Sequence, residues 1–293
     1  MKHAFLILAH NEFRVLQALV SRLDDERNDI FVHFDKNVKD IPELKVDKAG
    51  LFVLRKRIEV YWGGFSMVKA EELLFEEAVA KGPYIYYHLL SGVDLPLKSQ
   101  DYIHDFFQRN SGKEFISFER VSKAIVDYRM RYIHLFQKCF RDRSSLLYRI
   151  RGLLVFLQRG LLLKRNRKVD LHKGSQWVSV TDGMARCFLD SKSWIRKVFE
   201  NTFIPDEFVF QTLYMRSSFN EIIYDEDDVS SGNMRLVNWS KDHLFVKDWS
   251  ASDLERLEKS SALFARKFNG SDPDFLGAVV KLSNKGFGYN VKQ

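Results

Sequence analysis

The sequence predicts an α/β protein whose central sheet is mostly parallel and flanked by helices. Short, continuous apolar runs alternate with stretches of helical spacing through the first hundred residues. Continuous apolar runs are typical of strands that are buried on both faces, as in parallel sheets. With 293 residues, of which 45% are hydrophobic, the chain is long enough to bury a large core. We therefore expect a single domain over residues 1–293.

The predicted elements follow in order along the chain. The strands are expected at 4–9, 30–34, 51–54, 84–90, 115–118, 177–181 and 221–224. The helices are expected at 11–23, 66–80, 192–201, 205–215 and 252–268. Ser66 is the expected N-cap of the second helix, and residues 91–96 are expected to form a loop. Parallel strands joined by helices bind ligands beyond their carboxyl ends, which places His10, Asp35 and Asp94 at such an edge.

The positive charge is concentrated in one segment. The chain holds 46 Lys and Arg against 39 Asp and Glu, a net charge of +7. Fourteen of the basic residues and only two of the acids lie between Arg120 and Lys168. Helical spacing within 146–157 predicts a basic helical insertion at about 120–170. Such a segment either lies on an anionic membrane surface or binds an anionic acceptor.

The cysteines and the apolar runs bear on the compartment. Cys139 and Cys187 are expected to be free thiols of a reducing compartment. The N-terminal apolar run is too short for a signal peptide, and no run approaches the roughly 20 residues of a membrane span. We therefore expect a cytoplasmic protein, with peripheral contact at the inner face of the cell membrane through 120–168.

Several kinds of site are disfavoured by missing motifs. There is no G-x-G-x-x-G, no Walker A sequence and no G-x-S-x-G, so dinucleotide, P-loop and α/β-hydrolase sites are not expected. Asp-x-Asp occurs at 225–227 and 272–274, where an exposed acidic turn is the expected structure. The eight histidines form no zinc pattern. A bound diphosphate would then be neutralised by Arg or Lys side chains.

Two features favour a sugar-handling site without deciding it. Pro205-Asp206-Glu207 is typical of a helix start, and it also suits a general base at Glu207. Trp62, Trp177 and Trp239 each stand beside Gly or Ser. Aromatic faces next to small residues are surfaces on which sugar rings and bases stack, although buried core tryptophans have the same neighbours.

Eight sequence blocks, in order, resemble the core-2/I-branching β-1,6-N-acetylglucosaminyltransferase family, which also contains the protein O-xylosyltransferases. The blocks are FLILAHNE (5–12), FVHFDKN (31–37), VYWGGFSMVKAEELL (60–74), YYHLLSGVDLPLKS (86–99), KGSQWVSVT (173–181), IPDEFVFQTL (204–213), MRLVNW (234–239) and SALFARKF (261–268). The segment from about 120 to 170 resembles no block of the family.

The resemblance implies a GT-A-type nucleotide-sugar fold and an inverting, metal-independent transferase that uses a UDP-sugar, here N-acetylglucosamine from UDP-GlcNAc. It implies that Glu207 is the catalytic base. The donor-binding residues that it implies are His10, Asp35, Trp62, Arg235 and Lys267. The acceptor-binding residues are Asp94, Glu119 and Trp177. No metal and no cofactor are expected.

Other functions stay open at this stage. UDP-xylose or UDP-glucose would suit the same fold, and the sequence offers no discriminator between donors. Unlike eukaryotic members, the chain shows no anchor and no disulfide pattern, so we expect a bacterial enzyme that acts on a glycan or a lipid-linked oligosaccharide. A nucleic-acid-binding protein, suggested by the isoelectric point of 9.2, is the remote alternative, and nucleic acid is not an expected partner. An inactive sugar-binding relative is disfavoured by the presence of Glu207, Arg235 and Lys267.

Overall fold

The computed structural model describes residues 2–219, 222–225, 231–240 and 245–282. Its strands are β1 His3–Ala9, β2 Asn28–Phe34, β3 Gly50–Val53, β4 Tyr86–Ser91, β5 Asp94–Pro96, β6 Ser179–Thr181, β7 Arg235–Val237 and β8 Phe264–Arg266. The central sheet has the order β3-β2-β1-β4-β6. Its neighbours are parallel except for β4 and β6. The predicted α/β class with a mostly parallel sheet is confirmed.

Helices cover both faces of this sheet. The α-helices of the described chain are α1 Phe13–Arg22, α2 Ser66–Lys81, α3 Gln100–Arg109, α4 Lys123–Met130, α5 Leu146–Gly160, α6 Asp182–Asp190, α7 Lys192–Phe199, α8 Val209–Arg216, α9 Leu254–Lys259 and α10 Pro273–Leu282. Side chains of β1 alternate between the two layers, as the period of a strand requires. Leu6 packs in the layer of α2, α6 and α8, whereas Phe5 and Ile7 pack in the layer of α1, α3 and α10.

The parallel strands place their carboxyl ends at one edge of the sheet. The amide of Asp35, just after β2, donates to the carbonyl of Ala9 at 2.9 Å, and the amide of Gly92, just after β4, donates to the carbonyl of Leu8 at 2.8 Å. These bonds bring the three chain reversals after β1, β2 and β4 side by side. The polar residues that follow each strand therefore share one edge.

A second, three-stranded sheet lies beyond that edge. Its order is β5-β8-β7, with β5 antiparallel and β7 parallel to β8. The expected loop at 91–96 therefore contains a strand. The expected helix over 252–268 is also wrong, because α9 ends at Lys259 and the buried run Phe264–Arg266 forms β8. Backbone pairing in the second sheet overrides the helical spacing of this segment.

Four smaller predictions differ from the structure. Ser66 does not cap α2, because its hydroxyl accepts from the amide of Tyr61 at 2.8 Å. Residues 115–118 form no strand, and of these only Phe115 makes an isolated bridge, to Ser179. The helix expected over 205–215 is a 3₁₀ turn, Pro205–Glu207, followed by α8. Of the strand expected at 221–224, Ile223 makes an isolated bridge, and Glu221 lies outside the described residues.

The basic insertion contains α4 and α5, joined through a 3₁₀ turn at Gln137–Cys139. Its helical character is thus confirmed. Within the described parts of the chain, no helix has the length and apolar character that a membrane crossing requires. Cys139 and Cys187 are both free thiols.

Candidate active site

A cleft of about 750 Å³ lies between the carboxyl edge of the central sheet and the second sheet. Seven of the sequence-predicted site residues line it: His10, Trp62, Glu119, Trp177, Glu207, Arg235 and Lys267. They come from segments that are up to 257 residues apart in sequence, between His10 and Lys267. The fold therefore assembles most of the predicted site in one place.

Glu207 is held by two basic side chains. Nη1 of Arg129 donates to its Oε2 at 2.6 Å, and Nζ of Lys173 lies 3.2 Å from the same oxygen. Lys173 also forms an ion pair with Glu119, whose amide donates to the carbonyl of Lys173 at 2.8 Å. Lys173 thus links the predicted base to the predicted acceptor-side carboxylate. Such paired charges restrict the orientation of the carboxylate.

The backbone around Glu207 is held by hydrogen bonds to two glycine-containing segments. The amide of Gly174 donates to the carbonyl of Glu207 at 2.9 Å, and a Cβ at Gly174 would lie 1.9 Å from the carbonyl oxygen of Ser117. Only glycine fits there. Next to Trp62, Gly63 adopts a φ of +73°, and its carbonyl accepts from the amide of Ile204 at 2.8 Å. These bonds join the Trp62 loop and the 173–177 segment to the loop that bears Glu207.

Two buried acids lie behind Glu207. Burial, reinforced by the charge of Glu207, raises the pKa of Asp206 to about 7. Burial also raises the pKa of Glu71, with Asp206 adding to the effect, and Glu71 accepts from Nε2 of Gln176 at 2.6 Å. Oδ1 of Asp206 and Oε2 of Glu71 have no hydrogen-bond partner in the described part of the chain. The environment of Asp206 therefore favours its neutral form at a pH where exposed carboxyls are ionised.

Arg235 forms part of the cleft floor, but its guanidinium is buried. It donates to the carbonyl of Val178 at 2.7 Å and to that of Asn233. Burial lowers its pKa to about 9. The positive charge therefore sits beneath the cleft surface and is engaged by backbone oxygens.

Asp94 does not line the cleft, which corrects its expected place as a direct acceptor contact. Its side chain is fully buried, accepts from the amide of Ser91 at 3.0 Å, and pairs with Nε of Arg266 at 3.1 Å. Burial raises the pKa of Asp94, whereas Arg266 opposes that rise. Arg266 in turn lies over the ring of Trp177, 4.2 Å from its centroid. Asp94 therefore acts on the cleft indirectly, through neighbours that line it, such as Arg266 and Arg235.

Two further cations, Lys267 and Arg141, line the cleft. Nζ of Lys267 lies 3.6 Å from Asp248, and the guanidinium of Arg141 lies 5.6 Å from the half-exposed ring of Trp62. Desolvation lowers the pKa of His10; Asp35 opposes this, while Arg141 and Lys267 add to it. His10, Arg141 and Lys267 all line the cleft.

Asp35 lies in an adjoining pocket of about 450 Å³ rather than in the main cleft. Its carboxylate accepts from the amides of Asn37 at 2.7 Å and Val60 at 3.1 Å. His10 lines both cavities. Asp35 therefore lies outside the main cleft, in a pocket that shares the side chain of His10 with it.

A model of the family described as "Core-2/I-Branching enzyme" matches residues 3–259. The chain belongs to the core-2/I-branching enzyme family. Among its relatives, the xylosyltransferase oxt of Drosophila pseudoobscura pseudoobscura is 22% identical over 295 residues, which cover 90% of this chain and 31% of that protein. The xylosyltransferase sqv-6 of Caenorhabditis briggsae is 21% identical over 223 residues, covering 71% and 25%. The chain thus spans about a third or less of these curated relatives.

Solved structures with partial similarity include the apo form of mouse xyloside xylosyltransferase 1, with a TM-score of 0.39 and 11% identity over 90% of this chain and 96% of that one. Residues 1–349 of S. aureus TarS give a TM-score of 0.27 and 10% identity, covering 79% and 77%.

The structure describes one of the two Asp-x-Asp motifs in full and the other only in part. Asp272 caps α10, because its Oδ1 accepts from the amide of Phe275 at 2.9 Å, as expected for an acidic turn. In the 225–227 motif, Glu226 and Asp227 lie outside the described residues. Elsewhere in residues 2–282 that the structure describes, no three His, Cys, Asp or Glu side chains could hold a metal ion. Metal independence in this member of the core-2/I-branching family stays a prediction.

Three residues at the site were not anticipated from the sequence. Arg141 lines the cleft, whereas Arg129 and Lys173 contact Glu207. Arg129 and Arg141 belong to the basic insertion, where no family block indicates which of its fourteen basic residues turn inward. Lys173 opens the KGSQWVSVT block, and its place in that block was the available signal. The insertion therefore supplies one cation of the cleft lining and one partner of Glu207.

Proposed function

We propose that this protein is an inverting, metal-independent glycosyltransferase of the GT-A type. It moves N-acetylglucosamine from UDP-GlcNAc to a hydroxyl of a glycan acceptor, with Glu207 as the general base. The observation that carries the proposal is the position of Glu207, paired with Arg129 and Lys173, in the same cleft as Trp62 and Lys267. Membership of the core-2/I-branching enzyme family supports it.

The reaction is a single displacement. The acceptor oxygen attacks the anomeric carbon from the face opposite UDP and forms the new glycosidic bond. The bond from that carbon to the diphosphate oxygen breaks, its electron pair stays on UDP, and the configuration inverts. Glu207 takes the proton of the acceptor hydroxyl as the new bond forms.

Charge on the leaving diphosphate is met by cations rather than by a metal. Lys267 and Arg141 offer side-chain donors at the donor end of the cleft, close to His10. Arg235 adds positive charge from beneath the floor, where its hydrogen bonds to carbonyls fix its position. Fixed cations stabilise a growing negative charge without reorganisation. Trp62 provides a half-exposed aromatic face for the uracil.

The acceptor end contains Glu119 and Trp177. The ion pair between Glu119 and Lys173 positions a carboxylate next to the base, where it accepts from acceptor hydroxyls. Arg266 over Trp177 makes a rigid wall at this end. We take a bacterial glycan or lipid-linked oligosaccharide, reached from the cytoplasm, as the acceptor class.

UDP-xylose is the second candidate donor because the relatives reported above are named xylosyltransferases. UDP-glucose is a third. A panel of UDP-sugars, with glycan acceptors and UDP release as the readout, distinguishes the three.

Transfer is expected to persist in excess EDTA, and strict dependence on added metal would refute metal independence. A failure to shift labelled oligonucleotides is expected and would remove the nucleic-acid alternative.

The central test is Glu207→Gln. The amide keeps the shape of the side chain but cannot take the proton, so transfer is expected to fall by roughly 10²–10⁴-fold. UDP binding, measured by calorimetry, is expected to stay unchanged because the donor end is intact. The exposed Glu77→Gln serves as the control and should keep full activity. Full transfer activity in Glu207→Gln would refute the assignment.

A further inference from the structure

Helix α5 presents its apolar side to solvent. Leu146, Leu153, Phe156 and Leu157 recur at helical spacing on one face, and Leu161, Leu162 and Leu163 follow in the next turn. These seven side chains, which we call the apolar ridge, are between 47% and 71% exposed. Surface helices normally turn such a stripe toward the core. A contiguous exposed apolar patch of this kind marks an interaction surface.

The inward face of α5 contains a charged residue instead. Arg151 is 4% exposed, and its guanidinium lies 4.6 Å from the ring of Tyr148 and 5.0 Å from that of Phe140. Its Nε and Nη1 have no hydrogen-bond partner among the residues described. The helix thus buries an arginine while it exposes leucines. Packing among the residues that the structure describes does not cover the ridge, which leaves it open to a partner outside the chain.

Charge identifies the chemistry of that partner. Arg143, Arg149, Arg159, Arg167 and Lys168 are exposed beside the ridge. Between residues 141 and 169 the sequence has nine basic residues and a single acid, Asp142. A second copy of the chain would bring like charges together across the contact. A bilayer with anionic headgroups instead offers an apolar interior to the leucines and negative charge to the arginines.

We propose that the apolar ridge docks the protein onto an anionic membrane surface. The 15 residues of α5 span roughly 22 Å at 1.5 Å per residue, which suits a helix lying in the plane of the interface. The leucines and Phe156 enter the boundary between headgroups and acyl chains, and the flanking arginines bind lipid phosphates.

The ridge is joined to the rim of the cleft. The side-chain amide of Gln158 bonds to both backbone groups of Ile133, at 2.8 and 3.0 Å. Oε1 of Gln137 accepts from the amide of Phe65 at 2.8 Å, next to the Trp62 loop. Docking therefore sets the orientation of the cleft relative to the membrane. With the proposed function, on which this last step rests, the cleft would face acceptors carried by lipids.

Vesicle co-sedimentation of the full chain tests the proposal. Binding is expected to vesicles that contain phosphatidylglycerol, to weaken as salt is added, and to be absent with phosphatidylcholine alone. The variant Leu153→Gln/Phe156→Gln/Leu157→Gln should lower the partition coefficient by roughly two orders of magnitude. The control Ile41→Gln/Val53→Gln/Met215→Gln changes three exposed apolar residues outside the ridge and should bind as before. Circular dichroism confirms that each variant is folded.

Several outcomes would overturn the proposal. These are no binding to anionic vesicles at low salt, equal loss in both triple variants, and binding that ignores lipid charge. A dimer in light scattering that the ridge variant abolishes, without lipid binding, would assign the ridge to a second copy instead. Sedimentation of Glu207→Gln is expected to match that of the unchanged chain. Docking is thereby judged separately from transferase activity.

Discussion

At the residue scale, the charged neighbours of Glu207 decide how its carboxylate is presented. Arg129 and Lys173 contact the same oxygen, Oε2, from two different segments of the chain. A carboxylate that accepts a proton from a substrate must be held in a narrow range of orientations, since a small displacement lowers the rate steeply. In the proposed mechanism, Arg129 is therefore a positioning residue, which acts through Glu207.

Removal of the Arg129 charge tests this role. Arg129→Gln is expected to lower kcat by roughly 10- to 100-fold, with little change in the KM for the donor, because the donor end of the cleft is untouched. Arg129→Lys should recover part of the loss. The exposed Lys123→Gln on the same helix is the control. Steady-state kinetics measures both constants, and a change confined to the donor KM would contradict the positioning role.

Asp206 links stability to pH. Its pKa in the folded protein is about 7, against an ordinary value of 3.8, so the folded state holds the proton more tightly than the unfolded state. Stability is then greatest at low pH and falls as pH rises between these two values, by up to about 1.4 kcal/mol per pH unit. Above the folded-state pKa of about 7, the loss of stability that Asp206 causes is complete. Other titratable groups also make the stability depend on pH. The contribution of Asp206 therefore has to be measured by comparing the unchanged chain with a variant that lacks only this carboxyl.

Asp206→Asn removes the titrating proton and keeps the shape. The difference in urea midpoint between about pH 5 and about pH 8 is expected to shrink in this variant relative to the unchanged chain. Asp190→Asn, at an exposed carboxylate, should leave that difference as it is. An identical pH dependence in the Asp206 variant and the unchanged chain would show that Asp206 does not set it.

At the scale of elements, the site depends on loops that pass each other closely. Gly174 allows the segment after Lys173 to contact both Ser117 and the Glu207 loop. The α/β scaffold ends its parallel strands at one edge, and the catalytic loops are added there. Substitutions that add side-chain volume in this region are therefore expected to be poorly tolerated.

Gly174→Ala is expected to destabilise the fold by about 3 kcal/mol, because its Cβ would overlap the Ser117 carbonyl and force the backbone apart. Gly152→Ala in α5 is the matched control. Its Cβ meets nothing within 4 Å, and alanine favours the helix by roughly 0.5–1 kcal/mol. Chemical denaturation measures both. Equal stability of the two variants would contradict the close-approach argument.

At the scale of the whole molecule, the basic insertion is part of the candidate site rather than an appendage. It pairs Arg129 with Glu207, the proposed base, places Arg141 in the cleft lining, and carries the apolar ridge on its outer side. One segment therefore serves the chemistry on its inner face and the proposed membrane contact on its outer face.

Arg141→Gln tests the inward role of the insertion. Loss of a cation at the donor end is expected to raise the KM for the UDP-sugar by about tenfold. A hydrogen bond to a charged group contributes roughly 1.5–3 kcal/mol, and a tenfold change corresponds to the loss of part of that free energy. Arg143→Gln, two residues away and outside the cleft, should leave the KM unchanged. Equal effects of the two substitutions would mean that the segment contributes only general charge.

Sequence patterns were sufficient for much of the architecture. Apolar runs predicted β1, β2, β3 and β4 to within two residues at each end, because β1, β2 and β4 are buried on both faces and therefore have continuous apolar sequences. The blocks of the family predicted most of the cleft-lining residues. The errors fall where pairing between distant segments decides the structure. The run at 264–266 forms β8 only because β5 and β7 flank it.

The sequence by itself determined the fold class and the family, because these depend on local periodicity and on short blocks of residues, and it predicts a base at Glu207. The tertiary structure decided which charges matter. It buried Asp94 and the guanidinium of Arg235, paired Arg129 with Glu207, turned Arg141 into the cleft, and left the apolar ridge facing outward. The physical reason is that burial and ion pairing depend on distances between segments far apart in the chain, which no local pattern encodes.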